Sequence, residues 1–221
     1  MGCTQSTTAS IPASVPVTTT PALDLELTYF DIPGRAELIR LLLTHGKINF
    51  KDTRYSFPDY FAKKSELNLP FNQVPTLQVN GTTTYGQSLA IARYAAKLTG
   101  LYPTDPLAAL EADAAVDAIV ELVNAVVDAV YKTQGDEAQA AKFETINNET
   151  FPRMLRQLEA RVAGPFFTGA DMTFADVYLL DFALNMLSND KITVRLVDYP
   201  KLQTIVDRVG ATPQIHAYLT K

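Results

Sequence analysis

A strand entered through proline and followed at once by a tight hairpin is the feature that most restricts the fold of this chain. The strand begins at Gln73-Val74-Pro75, and Asn80-Gly81 follows as the two-residue turn that most strongly favours a β-hairpin. Gln87-Ser88 then begins a helix with polar residues. Such an arrangement builds a small site for a peptide-like ligand. Between Tyr29 and this site the sequence has no cysteine, so the pattern predicts a protein that binds a thiol rather than one that carries it.

Composition restricts the class of protein further. The chain has 221 residues, of which 47% are hydrophobic and 19% charged, enough to bury the core of one large or two small domains. The formal net charge is -5 and the 19 basic residues are scattered, so we expect no nucleic-acid partner. The single cysteine allows neither an internal disulfide nor a Cys-x-x-Cys site, which favours a reducing, cytoplasmic location. We expect neither a membrane span nor a secretory signal, because no apolar run has the required length.

Residues 1–23 differ from the rest of the chain, because they are rich in Ser, Thr and Pro and contain no charged residue. We predict that this arm is disordered, since it cannot bury enough apolar surface to order itself. Its start fits the N-myristoylation pattern at Gly2, with Ser6 in the required position and Cys3 as an adjacent palmitoylation candidate. One acyl chain binds membranes only weakly, so Cys3 would supply the second anchor. The alternatives are membrane tethering through this arm and an extension that begins with Met-Gly by chance.

Residues 24–101 have the order of elements of a thioredoxin-like domain. Hydrophobic periodicity and turn residues predict a βαβ unit, a short helix, a β-hairpin and a closing helix. The predicted elements are strands at Leu25–Phe30, Asn49–Tyr55, Val74–Val79 and Thr82–Tyr85 and helices at Arg35–His45, Tyr60–Leu67 and Gln87–Leu98.

Residues 107–221 carry long helical patterns and no strand signals, which predicts an all-helical domain. The predicted helices are Leu107–Lys132, Gln134–Val162, one beginning at Thr173, Tyr199–Val209 and Pro213–Leu219. Thr173-Phe174-Ala175-Asp176 is typical of a capping box. The first helix also carries an acidic row, Asp113, Asp117 and Glu121, for which a solvated face is favoured over a divalent-ion site.

In this order and spacing, six short motifs resemble those of the cytosolic glutathione transferases, and within them the sigma class that includes the hematopoietic prostaglandin D synthases. The motifs are Leu27-Thr28-Tyr29-Phe30, Gly34-Arg35-Ala36-Glu37, Pro70-Phe71-Asn72-Gln73-Val74-Pro75, Gln87-Ser88-Leu89-Ala90-Ile91-Ala92-Arg93-Tyr94, Val116-Asp117-Ala118-Ile119-Val120 and Thr173-Phe174-Ala175-Asp176. The resemblance extends from Leu25 to Leu219. It implies an α/β thioredoxin-like N-terminal domain, an all-α helical C-terminal domain, a homodimer, and glutathione as co-substrate without a further cofactor or metal.

For the thiol chemistry, the resemblance points to Tyr29 and Arg35. The glutathione thiol is mostly protonated at neutral pH, since a cysteine thiol has a pKa of about 8.5, and only the thiolate attacks an electrophile. Tyr29 ends the first strand, where the corresponding tyrosine of the family donates a hydrogen bond to the glutathione sulfur. The alternative for Tyr29 is an ordinary aromatic residue in a strand, without a role in catalysis. Arg35 opens the next helix and either adds positive potential at the sulfur or has a structural role.

The same resemblance places the glutathione tripeptide. A cis peptide bond before Pro75 is expected to present Gln73 and Val74 to the ligand, so that the Val74 backbone pairs with the cysteinyl residue as an added strand. Gln87 and Ser88 start a helix whose free N–H groups attract the γ-glutamyl carboxylate, although Ser88 is equally suited to be a plain N-cap. The glycyl carboxylate is assigned to Tyr60 and Lys64, and the wall for an apolar electrophile to Ile32, Pro33, Val127 and Tyr131.

Two departures from the family pattern keep other functions open. Sigma enzymes use an aspartate of the partner subunit for the ligand amino group, and Ala125 occupies that position here, with Asn124 and Asp128 as possible substitutes. Prostaglandin D synthases use a tryptophan in the site, and this chain has none. The alternatives to a transferase are therefore a glutathione-dependent isomerase and a non-enzymatic, crystallin-like or membrane-tethered binding protein.

Overall fold

A computed structural model describes residues 23–221, so the proposed arm, apart from Leu23, lies outside the described residues together with Gly2 and Cys3. The first part of the described chain contains a four-stranded mixed sheet in the order β2-β1-β3-β4. Its strands are β1 (Leu25–Phe30), β2 (Lys51–Tyr55), β3 (Thr76–Val79) and β4 (Thr83–Tyr85). β1 is parallel to β2 and antiparallel to β3, and β4 is antiparallel to β3. The predicted thioredoxin-like α/β fold is confirmed.

Three helices accompany the sheet: α1 (Glu37–His45), α2 (Phe57–Lys63) and α3 (Ser88–Leu98). A 3₁₀ turn at Gly34–Ala36 leads into α1, and a second one at Lys64–Glu66 extends α2. α2 begins earlier than the predicted Tyr60, because Ser56 caps it by accepting a hydrogen bond from the Asp59 N–H at 3.2 Å. Because of the earlier start, Phe57 belongs to α2.

The rest of the described chain is helical, as predicted. Its helices are α4 (Pro106–Val127), α5 (Asp136–Thr145), α6 (Phe151–Ala160), α7 (Phe174–Asn185), α8 (Pro200–Gly210) and α9 (Pro213–Leu219). The predicted single helix at Gln134–Val162 consists of α5 and α6 with a π-helical turn at Ile146–Thr150 between them. Pro152 explains the interruption, since it has no N–H for an α-helical bond to the residue four positions earlier. A second π-helical turn, Asp128–Lys132, ends α4.

The predicted capping box at the start of α7 is present. The Asp176 carboxylate is fully buried and accepts hydrogen bonds from the backbone N–H groups of Thr173, at 2.7 Å, and Phe167, at 2.9 Å. One side chain therefore both starts α7 and holds the preceding loop against it.

A buried ion-pair network joins the two parts through α1. Arg40 is completely buried and pairs with Glu37 and with Asp52, each at 3.0 Å. The Tyr218 hydroxyl of α9 donates to the other Glu37 carboxylate oxygen at 2.9 Å. α1 also packs against α7, so the helical part is held directly against the end of the sheet that carries Tyr29.

Candidate active site

A cleft beside the end of β1 contains two adjoining cavities that share Tyr29, Phe30, Arg35 and Ser88. The groove, of about 510 Å³, is otherwise lined by Tyr60, Phe61, Lys64, Asn72, Gln73, Val74, Pro75 and Gln87. The apolar cavity, of about 270 Å³, is otherwise lined by Ile32, Gly34, Leu38, Phe57, Leu89, Val120, Val123, Asn124, Val127, Tyr131, Tyr178, Asp181, Phe182 and Met186. Every residue predicted to contact glutathione lines the groove.

Tyr29 lies where the two cavities meet. Its side chain is 7% exposed, and its hydroxyl oxygen accepts a hydrogen bond from the backbone N–H of Arg35 at 3.2 Å. Burial raises the pKa of Tyr29, so the phenol keeps its proton at neutral pH. A protonated phenol whose oxygen already accepts one hydrogen bond is free to donate its own proton into the cleft.

The backbone that supplies this N–H group leaves no room for a side chain at Gly34. Gly34 has φ +46°, and a Cβ there would lie 2.8 Å from the Tyr29 hydroxyl oxygen. Only glycine allows the phenol to approach the backbone this closely.

The Arg35 side chain points across the cleft rather than onto the phenol. Its guanidinium donates to the Asn124 amide oxygen of α4 at 3.2 Å. Asn124 thus faces the cavity of its own chain, while Asp128 is held by Lys142 at 3.1 Å and Ala125 packs against the core. The two residues considered as substitutes for the missing aspartate are therefore both engaged within the chain.

The groove is also lined by residues 73–75, which precede β3 and do not pair in the sheet. The predicted cis peptide bond between Val74 and Pro75 is confirmed. Pairing of β3 with β1 begins only at Thr76, opposite Thr28. Among the described residues the Val74 N–H and C=O have no backbone partner, so both groups remain available to a ligand.

The start of α3 also lines the groove. Gln87 precedes the helix with φ 72° and ψ 103°, a conformation that a non-glycine residue rarely adopts and that is characteristic of functional sites. Ser88 is the first residue of α3, and both residues line the groove. Free N–H groups of a helix start favour an anion at this position.

Aromatic rings form the α2 side of the cleft. The Phe30 ring stacks on Phe57 at 4.5 Å between centroids and meets Tyr60 edge-on at 4.8 Å. Tyr60 is 4% exposed, and the Lys64 ammonium lies 5.8 Å from its ring centroid. Lys64 therefore brings a positive charge to the groove, at a place held by the packed ring of Tyr60.

The apolar cavity contains most of the predicted electrophile wall and several residues that sequence reasoning missed. Ile32, Val127 and Tyr131 line it, whereas Pro33 is exposed and lies outside its lining. The cavity residues Phe57 of α2, Tyr178, Asp181 and Phe182 of α7, and Met186, which directly follows α7, were not predicted. Asp181 had a recognisable signal, since it is one of only two charged residues in α7 and lies well beyond the capping box.

Two carboxylates of the acidic row on α4 are paired with other side chains. In the acidic row of α4, Asp113 accepts from Arg93 at 2.6 Å and from Tyr102 at 2.8 Å, and Asp117 also faces Arg93. Residues 23–221 contain no group of three or more potential metal ligands. None of their helices is both long and apolar enough to cross a bilayer.

Comparison with known proteins gives a consistent result. Residues 25–97 match the family model of the glutathione S-transferase N-terminal domain, and residues 120–221 match that of the C-terminal domain. The chain is 33% identical over 198 residues to hematopoietic prostaglandin D synthase of Gallus gallus, covering 89% of this chain and 95% of that protein. It is 32% identical over 201 residues to glutathione S-transferase S1 of Drosophila melanogaster, covering 88% and 77%. The solved structure of prostaglandin synthase D of Nilaparvata lugens superposes with a TM-score of 0.81 at 26% identity, covering 90% and 98%. On the evidence of both domains and of relatives matched over most of their length, the chain belongs to the glutathione S-transferase family.

Proposed function

We propose that this protein conjugates the glutathione thiolate to small apolar electrophiles, and that Tyr29 stabilises the thiolate. The observation that carries the proposal is the position of the Tyr29 phenol, which is buried, protonated and shared by a polar groove and an apolar cavity. A tripeptide in the groove would bring its sulfur to this hydroxyl, and the electrophile would occupy the adjoining cavity.

One hydrogen bond can supply the free energy that is needed to lower the pKa of the glutathione thiol. Lowering the thiol pKa by about two units requires roughly 2.7 kcal/mol, at about 1.36 kcal/mol for each unit. A hydrogen bond to a charged group contributes about 1.5–3 kcal/mol. The Arg35 N–H increases the donor strength of the phenol by bonding to its oxygen, while the Arg35 guanidinium adds positive potential in the cleft. This catalysis requires no separate general base.

Residues at three places in the groove would hold the tripeptide. The unpaired backbone groups of Val74, beside Gln73, would pair with the cysteinyl residue as an added strand. The N-terminus of α3 at Gln87 and Ser88 would bind the γ-glutamyl carboxylate. The ammonium of Lys64, set against Tyr60, would bind the glycyl carboxylate.

Glutathione-dependent isomerisation is the second candidate, and it uses the same thiolate. One observation favours it, namely the similarity to proteins named prostaglandin D synthases. The two activities differ in the second substrate.

Replacing Tyr29 with phenylalanine tests the proposal directly. Tyr29→Phe removes the donor and keeps the ring, so conjugation of 1-chloro-2,4-dinitrobenzene should fall ten-fold or more. Glutathione affinity, measured by calorimetry, should change little, because the tripeptide is held elsewhere in the groove. Tyr199→Phe, a buried tyrosine at the start of α8, is the matched control and should retain the parent rate. Unchanged turnover in Tyr29→Phe would remove the tyrosine from the mechanism.

We further propose that the protein is a cytoplasmic homodimer and that acylation at Gly2 and Cys3 attaches it to membranes. Exposed aromatic and aliphatic side chains support the first proposal, and the N-terminal sequence pattern supports the second. Intact-mass measurement of the protein from its own cells tests for the acyl groups.

A further inference from the structure

The apolar cavity contains one carboxyl group, that of Asp181, which has no part in stabilising the thiolate. Asp181 lies on α7 at the boundary with α1 and is 5% exposed. Phe182 and Leu38, which also line the cavity, are its apolar neighbours there. Burying a carboxyl group in such surroundings is unfavourable for its charged form, so its presence at the cavity calls for a chemical reason.

The protein environment favours the neutral form of this group. Burial raises the pKa of Asp181 to about 7, and the nearby Glu37 carboxylate acts in the same direction. The Asn185 amide, which donates to one carboxyl oxygen at 2.6 Å, the Leu38 backbone N–H and the more distant Arg40 oppose the shift without cancelling it. Arg40 is itself committed to Glu37 and Asp52.

The carboxyl group is close to the place where the thiolate would form. The Arg35 N–H donates to Tyr29, and the Leu38 N–H is directed at Asp181. These N–H groups are three residues apart on one helical segment, so they lie roughly 5 Å apart. Tyr178 lines the cavity as well, and the charges of Asp181 and Arg35 act on its pKa in opposite directions. Because Tyr29 and Asp181 both line the apolar cavity, a sulfur at Tyr29 and an acid at Asp181 face the same space, which the conjugated C=C–C=O group of a substrate would span.

We propose that Asp181 is a catalytic acid, which protonates the carbonyl oxygen of an α,β-unsaturated aldehyde or ketone as glutathione adds to its β-carbon. The inference rests on the proposed function and assigns its substrate class. The thiolate forms the S–C bond with its lone pair, the C=C pair moves to the adjacent C–C bond, and the carbonyl pair moves to oxygen. That oxygen takes the proton of Asp181, and the resulting enol becomes the carbonyl product in water. The proton that the next glutathione thiol releases restores Asp181.

A second class of electrophile provides the contrast. In conjugation of an aryl halide the halide leaves with the electron pair, so no oxygen needs a proton. Both reactions need the thiolate, but only addition to the conjugated carbonyl needs the acid. Comparing the rates of the two reactions therefore distinguishes the role of Asp181 from that of Tyr29.

The test measures kcat/KM for trans-2-hexenal and for 1-chloro-2,4-dinitrobenzene in Asp181→Asn. General acids typically contribute about 10²–10⁴-fold, so the ratio of hexenal to aryl-halide turnover should fall at least ten-fold. Asp171→Asn, an exposed aspartate in the loop before α7, is the control and should keep the parent ratio. An equal loss on both substrates would show that Asp181 only holds α7 against α1, and would overturn the proposal.

The pH profile of the unmodified protein gives an independent test that does not depend on the variant folding. For hexenal, kcat should fall as pH rises above about 7, where Asp181 loses its proton. For the aryl halide, kcat should rise to a plateau, since only thiolate formation titrates. Asp181→Asn should lose the falling limb with hexenal. Identical profiles for the two substrates in the unmodified protein would contradict the inference, whereas a lack of turnover on either would contradict the proposed function itself.

Discussion

Gly34 illustrates how one residue without a side chain sets the geometry of the site. Its φ of +46° and the 2.8 Å separation between a hypothetical Cβ and the Tyr29 oxygen mean that any other residue displaces the phenol or the backbone. The N–H group that follows is the one that bonds to Tyr29. The donor strength of the phenol therefore depends on the lack of a side chain next to it.

Gly34→Ala should reduce conjugation of an aryl halide ten-fold or more and destabilise the protein by about 1 kcal/mol or more, because it adds a clash to an unfavourable φ. Steady-state kinetics and thermal unfolding check both effects. Gly81→Ala is the matched control: its φ is +65° but a Cβ there would meet nothing within 4 Å. It should lose stability and keep the parent rate. A normal rate in Gly34→Ala would show that the phenol tolerates displacement.

At the scale of elements, the segments with local signals were predictable from sequence. The alternating strand at β1, the Asn80-Gly81 hairpin and the capping box of α7 each depend on residues a few positions apart, and all three are present. Most of the residues that line the groove were predictable, because they belong to short contiguous motifs.

Features that depend on tertiary contacts were not predictable in the same way. The π-helical turn before Phe151 is a partial exception, because Pro152 marks the break in the sequence although the helical periodicity continues through it. The apolar cavity combines α2, α4 and α7, and nothing in the spacing of Phe57 and Asp181 shows that they face one space. Pro33 is adjacent to the wall residue Ile32 in sequence but is turned away from the cavity.

The contact between α1 and α7 makes stability depend on pH through Asp181. Its pKa is raised to about 7 in the folded protein, against an ordinary value of 3.8 for an aspartate. The folded state therefore holds a proton that the unfolded chain releases, and stability falls as pH rises from about 4 to about 7. A shift of this size corresponds to about 4 kcal/mol at most.

Asp181→Asn removes this titration, so the variant should gain stability relative to the parent as pH rises from 4 to 8. Urea unfolding at several pH values measures the difference. Glu37, Arg40 and Tyr178 lie around the same position and remain in both proteins, so their contributions largely cancel in the comparison. A stability difference that is independent of pH would show that the carboxyl group is ionised throughout.

At the scale of the whole molecule, several large apolar side chains of the described residues are exposed to solvent. Phe71 and Tyr85 are 58% and 53% exposed, and a cavity of about 320 Å³ at Tyr85 runs between the hairpin and α3. Leu107 and Leu110, one turn apart on α4, are 73% and 63% exposed. Clustered exposed apolar groups of this kind mark contact surfaces, and an isologous dimer would cover both sets at once.

Light scattering should therefore give the parent protein a mass about twice the 24.3 kDa of one chain. The double variant Phe71→Ser, Leu110→Ser should be monomeric, while Val197→Ser, a control that is 53% exposed before α8, should remain dimeric. The described groove and cavity are lined by one chain, and Ala125 offers no carboxylate to a neighbour, so the monomeric variant should keep its rate within a few-fold. A dimeric double variant would place the interface elsewhere. A monomer that folds but has lost glutathione binding would show that the partner subunit completes the site despite Ala125.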